Sequence, residues 1–225
     1  MKDRIESEVK ILGIDFLIVS ASFAATLTAL SVMAGDLLDF YPLSFEVIAP
    51  FFAAIAVGEW GKTRADSNFD LIAAQSRSLF RWVLLRDVIP FAISSLFVWS
   101  SMACASILRC EMPLWELAAI YFPPAFLLST LCALLGITCR QEHIATLICG
   151  VIWLIALLTR SLLRFPGVEY VYPFIRFAGD QNHIWLWNKG LLTLAGALLW
   201  IAIYLRCQRA DRTAGKRMIV LSRRR

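Results

Sequence analysis

The chain has 225 residues, 59% of them hydrophobic and 17% charged, with a formal net charge of +5 and a mean hydropathy of +0.68. That apolar excess is too great for a soluble domain of this length, which would hide about 70% of its unfolded surface and needs polar residues to cover the rest. The charges gather in short stretches between long apolar runs, which argues against a disordered chain, a soluble enzyme or a basic nucleic-acid binder and leaves an all-α integral membrane protein.

A bilayer core about 30 Å thick needs roughly 20 apolar residues in helix, because each peptide group must find its hydrogen bond within the segment. Six runs are predicted to cross. The first, 11–34, follows a charged start and lacks a small-residue cleavage site after a short apolar core, so it reads as a retained span. The second, 43–58, is short, contains Glu46 and Pro50, and is expected to continue as helix past Gly58. The third, about 82–108, carries Pro90 early enough to bend rather than end it. In the fourth, 113–138, Pro123 and Pro124 predict a kink. A fifth, 143–159, and a sixth, 190–205, complete the set, with Trp185 and Trp187 placed ahead of the sixth as an interfacial belt.

Six crossings put both termini on one side, and positive charge assigns that side to the cytoplasm. Arg109, Arg160, Arg164, Arg176 and Lys189 fall on the opposite side, and every other Lys and Arg falls on the side of the termini or in the tail 206–225. The connection 160–189 is long, apolar and aromatic. It reads either as short interfacial or re-entrant helices broken at Pro166, Gly167 and Pro173, with Tyr170, Tyr172 and Phe174 toward lipid or protein, or as a loop packed on its neighbours.

The polar stretch 59–81 between the second and third spans is too long for a simple turn. From about Asp66 to Leu79 it spaces Phe69, Ile72 and Ala73 as one face of a surface helix, with Asp66, Asp70, Gln75 and Arg77 on other sides. Glu59, Lys62-Thr63, Leu71-Ile72, Ser76-Arg77 and Arg86 resemble a pattern of the ABC type-2 permeases, the membrane subunits of many bacterial ABC exporters. That pattern is a Glu, a Gly-Thr, a Leu-Leu, a Pro-x-Ser-Arg and a basic residue opening the third helix. Lys62 stands where a Gly is usual, and Gln75-Ser76 replaces the common Pro. Asn188-Lys189 is similar to the family's Asn-Arg at the start of the last helix.

The resemblance implies that the 59–81 stretch is a coupling segment, docked on a separate ATP-binding subunit through Glu59, Lys62, Thr63, Arg64, Phe69, Leu71, Ile72, Ser76 and Arg77. Two permease chains, identical or not, would enclose a path in the bacterial inner membrane for a hydrophobic, amphipathic or peptide substrate. No cofactor is expected on this chain, which has no G-x-x-x-x-G-K-[ST] loop for phosphates; ATP and Mg would sit on the partner. The chain is thus not expected to be an enzyme. The other reading, from a different class, is a membrane scaffold or anchor that recruits a cytoplasmic partner and moves nothing.

Within the spans, Asp15 and Glu46 are ionisable residues in apolar runs that either line a substrate path or reach water. Glu59, at the exit of the second span, would hold backbone amides or a basic partner, or stand as a solvated anion. Cys139, His143 and Cys149 lie close in sequence without a recognised ligand spacing, so no metal site is expected, and the six cysteines show no disulfide framework. Asp180 and His183 lack an accompanying nucleophile and read as loop caps. The basic tail, with Arg206, Arg209, Arg212, Lys216 and Arg217, is suited to anionic lipid headgroups rather than nucleic acid.

Overall fold

The structure is a computed structural model that describes residues 2–34, 40–61, 78–108, 113–139, 141, 143–165, 167–178 and 184–222; side chains are described from 12 to 33 and from 41 to 210 within those ranges. The described residues are helical and contain no strand. Six helices are long and apolar enough to cross a membrane, as a multi-pass membrane protein requires.

Helix α1 (Lys2–Ala34) is broken at Gly13, whose φ of 73° and ψ of 167° only glycine adopts readily, so the charged start departs from the axis of the apolar span Leu12–Met33. Helix α2 (Leu43–Gly61) opens with a wide π turn, Leu43–Ile48, and tightens to α from Ala49. The cause is Pro50: it has no N–H for the Glu46 carbonyl and its ring would strike that carbonyl in a regular α turn. The Val47 carbonyl, in the same turn, accepts the Trp153 indole N–H at 3.0 Å.

Helix α3 (Leu79–Leu108) runs through Pro90, and α4 (Leu114–Thr138) through the buried pair Pro123 and Pro124. Helix α5 (Ile144–Leu158) starts from His143 in the left-handed conformation and runs on into a 3-10 turn, Thr159–Arg164. Helix α6 (Ile184–Ser222) begins at Ile184 rather than near 190 and continues through the basic tail. Trp185 and Trp187 therefore lie in its first turn, Trp185 buried and Trp187 exposed. Among the described residues of 165–178 there is no α-helix, but a 3-10 turn, Val168–Tyr170, and further turns. Tyr172 and Phe174 face protein, whereas Tyr170 is exposed.

Helices α2 and α4 form the enclosed centre, with α3 and α6 against them, α1 on α3 and α5 on the rim. Lipid is as apolar as leucine, so helices in a membrane gain most from close contact and satisfied polar groups. The buried Ala49, Ala53 and Ala56 of α2 allow such contact. Named contacts fix the alternation. Phe16 of α1 meets Trp60 at the far end of α2, and Thr28 donates to Ser101 near the end of α3. The bundle thus has a terminal end, where α1 starts, and a loop end, where 165–178 lies.

Candidate functional site

At the loop end, Glu46 sits in the π turn with 0% exposure. Its Oε1 accepts the Lys189 ammonium of α6 and the Arg176 backbone N–H at 3.2 Å, and its Oε2 accepts the Phe177 N–H at 2.6 Å. Lys189 also donates to the Pro173 carbonyl at 2.9 Å, and Asn188 donates to the carbonyls of Glu169 and Tyr172 at 2.9 and 2.8 Å. The Arg176 guanidinium pairs with Glu116 in the first turn of α4 and lies 5.4 Å from the Trp185 ring. Burial pushes the Tyr172 hydroxyl above its ordinary range, against the opposing pull of Arg160. Two charge pairs and five backbone groups thereby hold the connection onto α2, α4 and α6. Glu46, expected to line a path or reach water, does not reach water in this chain.

At the terminal end, Glu59 lies in the last described turn of α2. Its Oε1 accepts the Thr146 hydroxyl at 2.7 Å and its Oε2 pairs with His143 Nδ1 at 2.5 Å. The left-handed backbone of His143 starts α5 and brings the imidazole to that carboxylate. Gly58 lets α2 approach: a Cβ there would lie 2.7 Å from Cys132 Sγ and would also strike Thr146. Among the described residues Glu59 thus joins α2 to α5 through His143 and Thr146.

Lys62, Thr63, Arg64, Phe69, Leu71, Ile72, Ser76 and Arg77 lie outside the described residues, as do Asp180 and His183. Asp15 is exposed on α1, beside Phe16, whose ring meets Trp60 next to Glu59. Arg206 and Arg209 are exposed on α6, and Arg212, Lys216 and Arg217 lie on its continuation, where only the backbone is described. Of the residues weighed for metal, His143 serves Glu59, and Cys149 is buried with its thiol 3.9 Å from the Leu128 carbonyl. No group of three His, Cys, Asp or Glu able to hold a metal occurs among the described residues.

Sequence reasoning missed the Glu46–Lys189 and Glu116–Arg176 pairs. The available signal was an acid near the start of the second and fourth spans and a base before or within the start of the sixth, all at one end of the bundle. A groove of about 470 Å³ between α4, α5 and α6, lined by Leu127, Leu131, Ile152 and Leu198 among others, completes the apolar surfaces. Set against protein-family models, curated proteins and solved structures, the chain matches none.

Proposed function

We propose that this chain is the transmembrane permease subunit of an ABC transporter in the bacterial inner membrane, exporting a hydrophobic, amphipathic or peptide substrate. Both termini face the cytoplasm, the chain pairs with a second permease chain, and ATP is hydrolysed on a separate nucleotide-binding subunit. The observation that carries the reading is the clamp of Glu59 to His143 and Thr146. The stretch that resembles a coupling segment follows Gly61 directly in sequence. A displacement of that stretch by a motor below would reach α2 through the backbone and α5 through the Glu59 carboxylate, so two helices would move together. Six crossing helices and apolar bundle surfaces support a membrane-embedded path for a cargo of low polarity.

The test is affinity purification of the chain from its native membrane, followed by ATPase measurement in liposomes. An ATP-binding subunit should copurify, and its turnover should rise when the permease is present. A chain that recovers a cytoplasmic partner with no nucleotide turnover is a scaffold, and this reading then fails.

A further inference from the structure

Helices α5 and α6 both pack on α4, and the groove of about 470 Å³ stays open between them. Leu127 of α4 is part of its floor, Ile152 and Ala156 of α5 and Leu192 and Leu198 of α6 are in its walls, and Phe174 helps to close it at the loop end. Ile152 and Leu198 are exposed, so the groove opens sideways toward lipid, and from Leu192 to Leu198 it runs roughly 9 Å along α6. An aliphatic and aromatic lining of this kind gives water nothing to bond to. One turn beyond Ala156 stands Arg160, exposed, with its guanidinium 5.2 Å from the Phe177 ring and donating to the Ala178 carbonyl at 3.1 Å. The Ala178 N–H in turn donates to the carbonyl of Phe174 at 3.1 Å, which ties the guanidinium to the closed end of the groove. At this end of the bundle Arg176 is matched by Glu116 and Lys189 by Glu46, whereas among the described residues no carboxylate pairs with Arg160. Arg164, one turn further, is exposed as well, and outside those two pairs the described residues 159–178 set one acid, Glu169, against the two arginines.

We propose that this groove binds one anionic phospholipid, an acyl chain lying between α5 and α6 and the phosphate resting on Arg160. The guanidinium is held in place by the Ala178 carbonyl and the Phe177 ring, yet that hydrogen bond uses a single one of its N–H donors, and the others are those that phosphate oxygens accept best. Arginine at the polar boundary of a bilayer stands at the depth of the lipid phosphates, and a chain hanging from a phosphate there enters the groove from its closed end. A second copy of this chain would bring the same excess of arginine to the same end of the bundle and so supplies no counter-charge, whereas an anionic phospholipid supplies the apolar chain and the charge together. The site is a property of this chain alone and does not rest on the transport reading.

The test is native mass spectrometry of the full-length chain released from detergent micelles, after titration with dioleoyl phosphatidylglycerol, dioleoyl phosphatidylcholine or glycerol 3-phosphate. One phosphatidylglycerol should be retained per chain, about tenfold tighter than phosphatidylcholine, and glycerol 3-phosphate, which has no chain to bury, should not be retained. Arg160→Gln should bring phosphatidylglycerol down to the level of phosphatidylcholine. Ala195→Trp, which fills the groove and leaves the arginine in place, should remove the retained lipid of either kind and keeps the test decisive if Arg160→Gln does not fold. Arg81→Gln, at the start of α3 and the opposite end of the bundle, should change nothing. Equal retention of the two lipids by the native chain, retention of glycerol 3-phosphate, undiminished phosphatidylglycerol in folded Arg160→Gln or Ala195→Trp, or an equal loss in Arg81→Gln overturns the proposal.

Discussion

The ammonium of Lys189 on α6 is buried against the carboxylate of Glu46 in the π turn of α2, so the starts of two helices far apart in sequence are joined by opposite charges at one end of the bundle. Both residues are almost wholly enclosed, Glu46 at 0% and Lys189 at 4% exposure. Removing one partner leaves the other charge stranded, and such a loss costs about 3–5 kcal/mol. Lys189→Met and Glu46→Gln are therefore expected to lower the midpoint of thermal unfolding in detergent strongly, each alone. Because the paired charges carry their own desolvation penalty, the double variant Glu46→Gln/Lys189→Met should unfold at a higher temperature than Lys189→Met. A double variant that unfolds at the sum of the two losses would show that the pair is not coupled.

Glu59 should behave differently. His143 is more than half exposed, so its pairing with Glu59 contributes little to stability, and Glu59→Gln should fold and insert normally. In the presence of the nucleotide-binding subunit, that variant and Thr146→Val should lose most of the substrate-stimulated ATPase activity. Full stimulation in both would remove Glu59 from the coupling path.

Gly58 tests the close approach behind that clamp. A side chain there meets Cys132 and Thr146, and overpacking of this kind costs roughly 1–3 kcal/mol. Gly58→Leu should lower thermal stability and, by pushing Thr146 away from Glu59, reduce coupling as well. Adding Cys132→Ala and Thr146→Ala should restore stability without restoring coupling, because the hydroxyl is gone.

Orientation can be read from reporter fusions. Green fluorescent protein joined after the last residue should fluoresce, whereas alkaline phosphatase in the same place should be inactive. Alkaline phosphatase joined after Arg164 should be active. The opposite pattern would place the coupling stretch outside the cell and end the transport reading.

Much of the architecture was legible because the bilayer imposes one strong rule, a long apolar run for each crossing, and composition satisfies that rule visibly. The exact extents were less so. The early start of α6 at Ile184 was hidden because Ile184, Trp185, Leu186 and Trp187 continue the apolar and aromatic character of the connection before them, leaving no change of composition at the boundary. The π turn required knowing how Pro50 is accommodated four residues after Glu46, a question of geometry rather than of hydropathy. At the sites, Glu59 stood out by its position at a helix exit, but its partners did not. His143 and Thr146 lie more than 80 residues away, and His143 looked more like a companion of Cys139 and Cys149. Glu46 was noticed as an acid in an apolar run, yet only folding shows that two backbone amides and a lysine were waiting for it.

The bonds around Glu46 also decide where the bundle is stiff. With α2, α4, α6 and the 165–178 turns riveted together at one extremity, any rocking of α2 must pivot there, and its amplitude must grow toward Glu59. Over the roughly 28 Å of a 19-residue helix, a swing of about 5° displaces the Glu59 end by about 2–3 Å, and α5 with it, while the fulcrum stays still. On the proposed coupling, the chain would work as a hinged rod, with its axle on the side farthest from the push.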